Sequence, residues 1–145
     1  MRSSAGFTLI EIMVVVLIIA GLASLVGVKV LGQLCKSKAE QTKIQIGNLE
    51  SGLKLFKIDN SFYPETQQGL EALISTPGVG RAVKKFPAGG YLDSKTIPKD
   101  GWNEDFQYIG PDQTDDRSFE IISPGEDLEL GTDDDCTIDS CKCRE

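Results

Sequence analysis

The segment Gly6-Phe7-Thr8-Leu9-Ile10-Glu11 and the uncharged, proline-free run from Ile12 to Val28 decide the fold of this chain. At ~1.5 Å per residue, a helix from Phe7 to Val28 is about 33 Å long, enough to cross the ~30 Å hydrocarbon layer of a bilayer. Glu11 is the anomaly, because an unpaired carboxylate in such a run costs on the order of 2.5 kcal/mol or more. We therefore expect Glu11 to have a partner or a function.

Three interpretations of this segment compete. A secretory signal peptide would account for Arg2 and for the small residues at 20–23, but its apolar region would be shorter and would not begin with an acid. A simple membrane anchor explains the length and leaves the carboxylate unexplained. Cleavage after Gly6 would instead create a new α-amino group on Phe7, four residues and about one helical turn from Glu11.

The stretch from Gly6 to Glu11 resembles the processing motif of type IV pilins and of type II secretion pseudopilins. In those families a membrane-embedded prepilin peptidase removes a short leader after the glycine and methylates the new N-terminal phenylalanine. The resemblance implies that Gly6 ends the leader, that Phe7 is the methylated first residue, and that Glu11 neutralises the N-terminal amine of a neighbouring subunit. The physics agrees, since two opposite charges sharing a low-dielectric core cost less than either alone.

Charge is unevenly distributed along the 145 residues. The net charge of −7 argues against nucleic acid as a partner. Residues 1–99 carry 12 basic and 7 acidic side chains, a net of +5, whereas residues 100–145 carry 3 basic and 15 acidic, a net of −12. Such an acidic part is either a solvated tail or a site for a hard cation.

Histidine, the commonest general base, is absent from the sequence, and we expect no enzymatic activity.

Hydrophobic periodicity predicts an α+β fold on one long helix from about Thr8 to Ile58, which ends before Pro64. Thr66–Leu73 predicts a short second helix capped by Thr66, followed by a loop-rich connection over residues 78–101. Two short β segments are expected near Phe106–Ile109 and Ser118–Ile122, paired as an antiparallel sheet on the long helix. The apolar positions of the amphipathic second half of the helix are Leu31, Leu34, Ile46, Leu49, Leu53 and Phe56; the sheet would bury Phe106, Tyr108, Phe119 and Ile121.

The resemblance to the major pseudopilins of type II secretion extends through most of the chain. It is carried by residues 59–64, 68–73, 89–91 and 97–100, which type IV pilins do not generally share. One departure is Asp100-Gly101-Trp102-Asn103, where the family more often has proline after the aspartate and glycine after the tryptophan. We expect the turn to survive, because Asp-Gly is a strong turn former.

The resemblance implies a structural subunit that polymerises into the periplasmic pseudopilus and drives export of folded proteins across the outer membrane. The partners of such a subunit would be copies of itself, the prepilin peptidase, the inner-membrane assembly platform, the minor pseudopilins and, before assembly, membrane lipid. The expected organisation is a leader over 1–6, a hydrophobic transmembrane or filament-core helix over 7–34, crossing the bacterial inner membrane once, and a periplasmic globular domain over 35–145. Two alternatives stay open: a type IV pilin subunit and a membrane-anchored calcium-binding adhesion module.

The acidic loop from Ser123 to Asp135 offers several carboxylates, bends at Pro124, Gly125 and Gly131, and free backbone carbonyls, which suit the oxygen-rich coordination of calcium. It lacks the residue pattern of an EF-hand. Composition alone leaves a solvated loop and a cation site equally open. Major pseudopilins bind calcium in this loop, and the resemblance assigns the ligands to the side chains of Asp127, Asp134 and Asp135 and to the backbone carbonyls of Pro124, Glu129 and Thr132.

The chain has four cysteines, three of them close together near its end at Cys136, Cys141 and Cys143. In an oxidising periplasm we expect one disulfide among these three, and the Cys136–Cys141 and Cys136–Cys143 pairings are both open. We expect Cys35, on the long helix, to be a buried small hydrophobic residue.

Overall fold

The computed structural model describes residues 7–115 and 118–143, without the side chains of residues 24–31. Its elements are a 52-residue helix α1 (Leu9–Asn60), a short 3-10 helix (Leu70–Leu73) and two strands, β1 (Gln107–Ile109) and β2 (Glu120–Ile122). The chain divides into two compact units, Met1–Leu34 and Cys35–Glu145, which we describe separately. The predicted α+β architecture, a long helix with a small antiparallel sheet, is confirmed.

In the N-terminal unit, α1 begins at Leu9 and is unbroken through Gly27 and Val28. The apolar side chains from Phe7 to Leu22 are exposed, Phe7 by 84%. Within the part of the chain that the structure describes, no helix combines the length and the apolar character needed to cross a membrane.

The core of the globular unit forms around one face of α1. Ile46, Leu49, Leu53 and Phe56 are at most 1% exposed and follow each other at intervals of three or four residues, which places them on one side of a helix. Burying each such side chain contributes about 1.5–3 kcal/mol. Leu34, another of the apolar positions on the helix, is 54% exposed because the globular unit begins only at Cys35. The side chain of Leu31 lies outside the described residues.

The two strands pair antiparallel, with Tyr108 opposite Ile121. Both side chains are buried, and the Tyr108 hydroxyl donates a 2.8 Å hydrogen bond to the Pro64 carbonyl. Phe106 is buried as expected, and Phe119 is partly buried against the same core. A further bridge between Ser123 and Cys136 continues the pairing into the acidic loop.

The prediction of a second helix from Thr66, capped by Thr66, is wrong in extent and in its cap. Only Leu70–Leu73 form a 3-10 helix, because Gly69 precedes it with φ 61, outside helical geometry. The Thr66 backbone N–H and hydroxyl instead bind the Asp112 carboxylate, at 2.7 and 2.9 Å. These hydrogen bonds, with that of the backbone N–H foremost, hold the pKa of Asp112 below its ordinary value.

The C-terminal end of α1 is fixed by Asn60. Ser61 follows it with φ 71, the left-handed conformation that commonly ends a helix. The buried Asn60 side chain accepts hydrogen bonds from the backbone N–H groups of Lys84 and Lys85, at 2.9 and 3.0 Å, and donates to the Tyr91 hydroxyl at 3.1 Å. The loop-rich connection is thereby attached to the end of the helix.

Candidate functional site

Glu11 caps the helix on which it lies. Its Oε2 accepts hydrogen bonds from the Thr8 backbone N–H at 2.9 Å and the Thr8 hydroxyl at 3.0 Å, while the Glu11 N–H donates back to that hydroxyl at 3.3 Å. This reciprocal arrangement is a capping box, and the positive end of the helix dipole favours the carboxylate there. The Thr-x-x-Glu spacing of a capping box is present in the sequence, although the only role predicted there for Glu11 was in assembly.

The structure describes only part of the predicted cleavage site. Phe7 is exposed one residue before the cap, and Gly6 lies outside the described residues. The structure thus places Phe7 directly before the cap and Glu11 in the first turn of α1.

The acidic loop is closed by hydrogen bonds from its own backbone to its own carboxylates. Asp134 Oδ2 accepts from the Asp127 N–H at 2.9 Å, and Asp135 Oδ2 accepts from the Gly131 N–H at 2.8 Å. Asp127 Oδ1 accepts from the Glu129 N–H at 2.9 Å. The three carboxylates predicted as calcium ligands therefore organise one loop.

Two further predicted ligands take part in this network, and the third lies at its edge. The Thr132 hydroxyl donates to Asp134 Oδ1 at 2.8 Å and also lies 3.2 Å from the Glu129 carbonyl. Asp127, Thr132 and Asp134 line an open cavity of about 630 Å³ together with Lys142 and Cys143. Pro124 is buried at the first bend of the loop, next to Gly125, whose φ is 72.

The loop meets some of the requirements of a hard cation. Oxygen is the donor that calcium prefers. In the described residues, Asp135 Oδ1 is buried without a hydrogen-bond partner, a costly state that a cation would relieve. Burial by itself raises the pKa of the Asp134 carboxyl, but hydrogen bonds from the Thr132 hydroxyl and the Asp127 backbone N–H outweigh it and hold the pKa below the ordinary value.

The carboxylates of the acidic loop cannot supply all the ligands of a calcium ion by themselves. Over residues 7–115 and 118–143, no three acidic or cysteine side chains are grouped closely enough to hold a metal ion. The donor set fits calcium only if backbone carbonyls complete it. The expected mixture of carboxylates with the carbonyls of Pro124, Glu129 and Thr132 is of that kind.

The disulfides correct the expectation for the cysteines. Cys136 is bonded to Cys141, one of the two pairings left open, while Cys143 is bonded to Cys35 with 5.9 Å between their Cα atoms. Cys35 is buried as expected, but it is half of a disulfide and not a lone hydrophobic side chain. The Cys35–Cys143 pair has no local signal in the sequence, because the two cysteines are 108 positions apart.

Comparisons with known proteins agree on one family. The family model described as type II secretion system (T2SS), protein G matches residues 29–140, and that of the prokaryotic N-terminal methylation motif matches residues 1–26. Curated relatives named type II secretion system core protein G include those of Klebsiella michiganensis, 44% identical over 92% of this chain and 92% of the relative, and Pseudomonas aeruginosa, 41% identical over 94% of each.

A solved structure gives the same result for the fold. The crystal structure of the major pseudopilin from the type 2 secretion system of enterohaemorrhagic Escherichia coli matches with a TM-score of 0.64 and 33% sequence identity. The match covers 72% of this chain and 89% of that one.

Proposed function

The chain belongs to the type II secretion system protein G family and is a structural subunit of the pseudopilus. We propose that it enters the filament through Phe7 and Glu11. It is not an enzyme. The observation that carries the proposal is the motif Gly6–Glu11, within the methylation-motif match over residues 1–26. Prepilin peptidase cleaves after Gly6 and methylates the new N-terminal Phe7.

Glu11 then pairs with the Phe7 amine of a neighbouring copy. Glu11 Oε2 accepts both hydrogen bonds from Thr8, which hold the carboxylate at the start of α1. After cleavage, the new N-terminus of the chain would lie next to this point. They orient the carboxylate without removing its negative charge. An ammonium group of a second copy would offset that charge in an apolar filament core, where a lone carboxylate is costly.

Before assembly, the apolar segment from Phe7 to Val28, which is helical from Leu9 onward, lies in the bacterial inner membrane, with the globular unit in the periplasm. Support comes from the uncharged run after Glu11 and from the two disulfides, which persist in an oxidising compartment. The inner-membrane assembly platform and the minor pseudopilins are the further partners that this function requires.

The acidic loop binds calcium in this proposal. Asp127, Asp134 and Asp135 would supply carboxylate oxygens, and Pro124, Glu129 and Thr132 would supply carbonyl oxygens. The orphaned Asp135 Oδ1 and the nearly complete burial of Asp134, which is 3% exposed, support a cation there. The bound ion would offset the mutual repulsion of the carboxylates.

The test of Glu11 separates its charge from its cap. Glu11→Gln removes the charge but keeps an acceptor for Thr8, because glutamine also serves in a capping box. Glu11→Ala removes both. We expect both variants to insert into the membrane and to give less than about a tenth of the wild-type filament yield, measured by shearing and electron microscopy, for a lost pairing of about 1.4 kcal/mol or more.

Wild-type filament yield from Glu11→Gln would contradict the pairing role and leave Glu11 as a helix cap. The processing step has its own readout, the mass and N-terminal sequence of the mature protein. A chain that begins at Phe7 and carries one extra methyl group supports the proposal, and a cut near Ala23 contradicts it.

A further inference from the structure

We propose that the two disulfides act in series to position the carboxylates of the acidic loop, so that the affinity of this loop for calcium depends on the redox state of the Cys35–Cys143 pair. This inference rests on the calcium site of the proposed function and adds the residues that hold its ligands in place. Under it, the site is fully formed only after the chain has been oxidised.

The acidic loop is closed at its base by one pair of residues. Ser123 and Cys136 exchange two backbone hydrogen bonds, each 2.9 Å long, and both residues are 0% exposed. Ser123 is fixed by the rest of the globular unit, since it follows β2 directly and its hydroxyl donates to Asp100 at 2.6 Å. The proposed ligands Asp134 and Asp135 come directly before Cys136. Their positions therefore depend on what holds Cys136.

The disulfides connect Cys136 to the long helix by a short covalent path. Cys136 is bonded to Cys141, and Cys143 is bonded to Cys35, which is buried on α1. The path from Cys136 to α1 therefore runs through only three residues, from Cys141 to Cys143, whereas along the backbone it would run through the seven residues after Cys136. A shorter path leaves fewer conformations to the segment that it restrains.

The end of this path also forms part of the wall of the loop cavity. Cys143 lines the cavity of about 630 Å³ together with Asp127, Thr132 and Asp134. The Cys35–Cys143 bond therefore ends beside proposed ligands and keeps this part of the wall in place.

The acidic loop needs such a restraint. Residues 123–135 contain six acidic and no basic side chains, and their mutual repulsion favours an open loop. The two backbone hydrogen bonds at the base oppose it only modestly, because each replaces hydrogen bonds to water. Calcium requires about six to eight oxygen atoms to converge on one point. The cross-links remove open conformations beforehand and so lower the entropy that calcium binding costs.

Coupling of this kind is reciprocal, so calcium must favour the disulfide by the same factor by which the disulfide favours calcium. A dithiol such as dithiothreitol gives two electrons and two protons to the Cys35–Cys143 bond, which becomes two thiols, while the reagent becomes a cyclic disulfide. We expect a coupling factor of about tenfold or more.

The first experiment measures calcium affinity by isothermal titration of the full chain in detergent micelles. Replacing Cys35 and Cys143 by alanine should raise the dissociation constant by about tenfold or more. Replacing all four cysteines should give a value within about twofold of that, because the Cys136–Cys141 bond acts through the other one. The fluorescence of Trp102 shows whether each variant is folded.

The second experiment uses the unsubstituted chain and does not depend on the folding of a variant. The protein is equilibrated with mixtures of reduced and oxidised dithiothreitol, in calcium or in chelator, and the oxidised fraction of Cys35–Cys143 is measured by alkylation and mass spectrometry. Calcium should raise the equilibrium constant for oxidation by the same factor of about tenfold, at dithiol ratios where Trp102 fluorescence is unchanged. Asp134→Ala should remove this shift, and magnesium should produce little of it.

Equal calcium affinity with and without the Cys35–Cys143 bond, or an oxidation equilibrium that calcium does not change, would overturn the coupling and leave the calcium site in place. A four-cysteine variant that binds calcium about tenfold more weakly than the Cys35→Ala, Cys143→Ala variant would overturn the arrangement in series. Absence of calcium binding to the oxidised wild-type protein would overturn the calcium site itself, and this inference with it.

Discussion

Asp100 is a buried carboxylate that connects two distant loops. It is 4% exposed; its Oδ1 accepts hydrogen bonds from the backbone N–H groups of Trp102 at 2.9 Å and Glu104 at 2.7 Å, and its Oδ2 accepts from the Ser123 hydroxyl at 2.6 Å. The turn therefore forms, as predicted, despite the departure from the family pattern. Asn103 has φ 71, which asparagine tolerates better than most residues.

Asp100→Ala should lower the free energy of unfolding by about 2–4 kcal/mol, because it leaves two N–H groups and the buried Ser123 hydroxyl without their acceptor. Asp100→Asn keeps one acceptor oxygen and should lose about half as much. Urea denaturation followed by circular dichroism measures both.

The matched control is Asp105→Ala, since that side chain is 85% exposed and its ion pair among the described residues is with Lys99, at 3.2 Å. We expect it to change stability by less than about 0.5 kcal/mol. Equal stability of the Asp100→Ala and Asp105→Ala proteins would show that the buried hydrogen bonds contribute little.

At the scale of elements, the part of α1 within the globular unit is joined to the rest of that unit at both of its ends. Where the unit begins, the Cys35–Cys143 disulfide attaches the C-terminal segment, and the Thr42 hydroxyl accepts a 2.9 Å hydrogen bond from the Gly101 N–H. A Cβ at Gly101 would lie 2.3 Å from the Lys38 carbonyl oxygen, so only glycine permits this approach. At the other end, Asn60 holds the loop-rich connection.

The two disulfides should differ in what they contribute. Cys35–Cys143 spans 108 residues and Cys136–Cys141 spans five, and a longer closed loop removes more conformational entropy from the unfolded chain. Replacing both members of the first pair by alanine should lower the free energy of unfolding by about 5 kcal/mol, and replacing both members of the second pair should lower it by about 2 kcal/mol. Equilibrium denaturation without reductant gives both values, and the reverse order would contradict this account.

At the scale of the whole molecule, a small globular unit carries a large local charge. Cys35–Glu145 is compact, and six acidic side chains fall within residues 123–135. Small domains bury a limited fraction of their surface and commonly depend on disulfides or metals. A cation in the acidic loop would therefore influence the stability of the entire unit.

Calcium at a hundredfold excess over its dissociation constant should stabilise the full chain in detergent micelles by about 2.7 kcal/mol. For a unit of this size, that raises the melting temperature by about 10–20 °C, followed by Trp102 fluorescence. Magnesium should have a much smaller effect, because it requires a tighter octahedral geometry.

Asp134→Ala should abolish the calcium effect. Asp133→Ala removes the same charge from the neighbouring position, which is not a proposed ligand, and should retain most of it. Identical melting curves of the wild-type protein in calcium and in chelator would reduce the acidic loop to a solvated one.

The sequence by itself determined the features that depend on neighbours along the chain. The unbroken helix, its buried face at Ile46, Leu49, Leu53 and Phe56, and the two strands follow from hydrophobic spacing, which acts over a few residues. The capping box at Thr8 and Glu11 was available from the same local information, since its partners are three residues apart.

Only the tertiary structure decided which distant residues meet. The local sequence around Thr66 predicts a helix cap, but in the fold the Asp112 carboxylate accepts hydrogen bonds from the N–H and hydroxyl groups of Thr66. The local sequence predicts that Cys35 is a hydrophobic residue of the helix, but the fold brings Cys143 next to it and the two form a disulfide. The local sequence predicts that Asp100 is a turn residue, but in the fold it also accepts a hydrogen bond from the Ser123 hydroxyl. The physical reason is that a side chain's partner is chosen by proximity after folding, and local spacing contains no information about proximity between segments far apart in the chain.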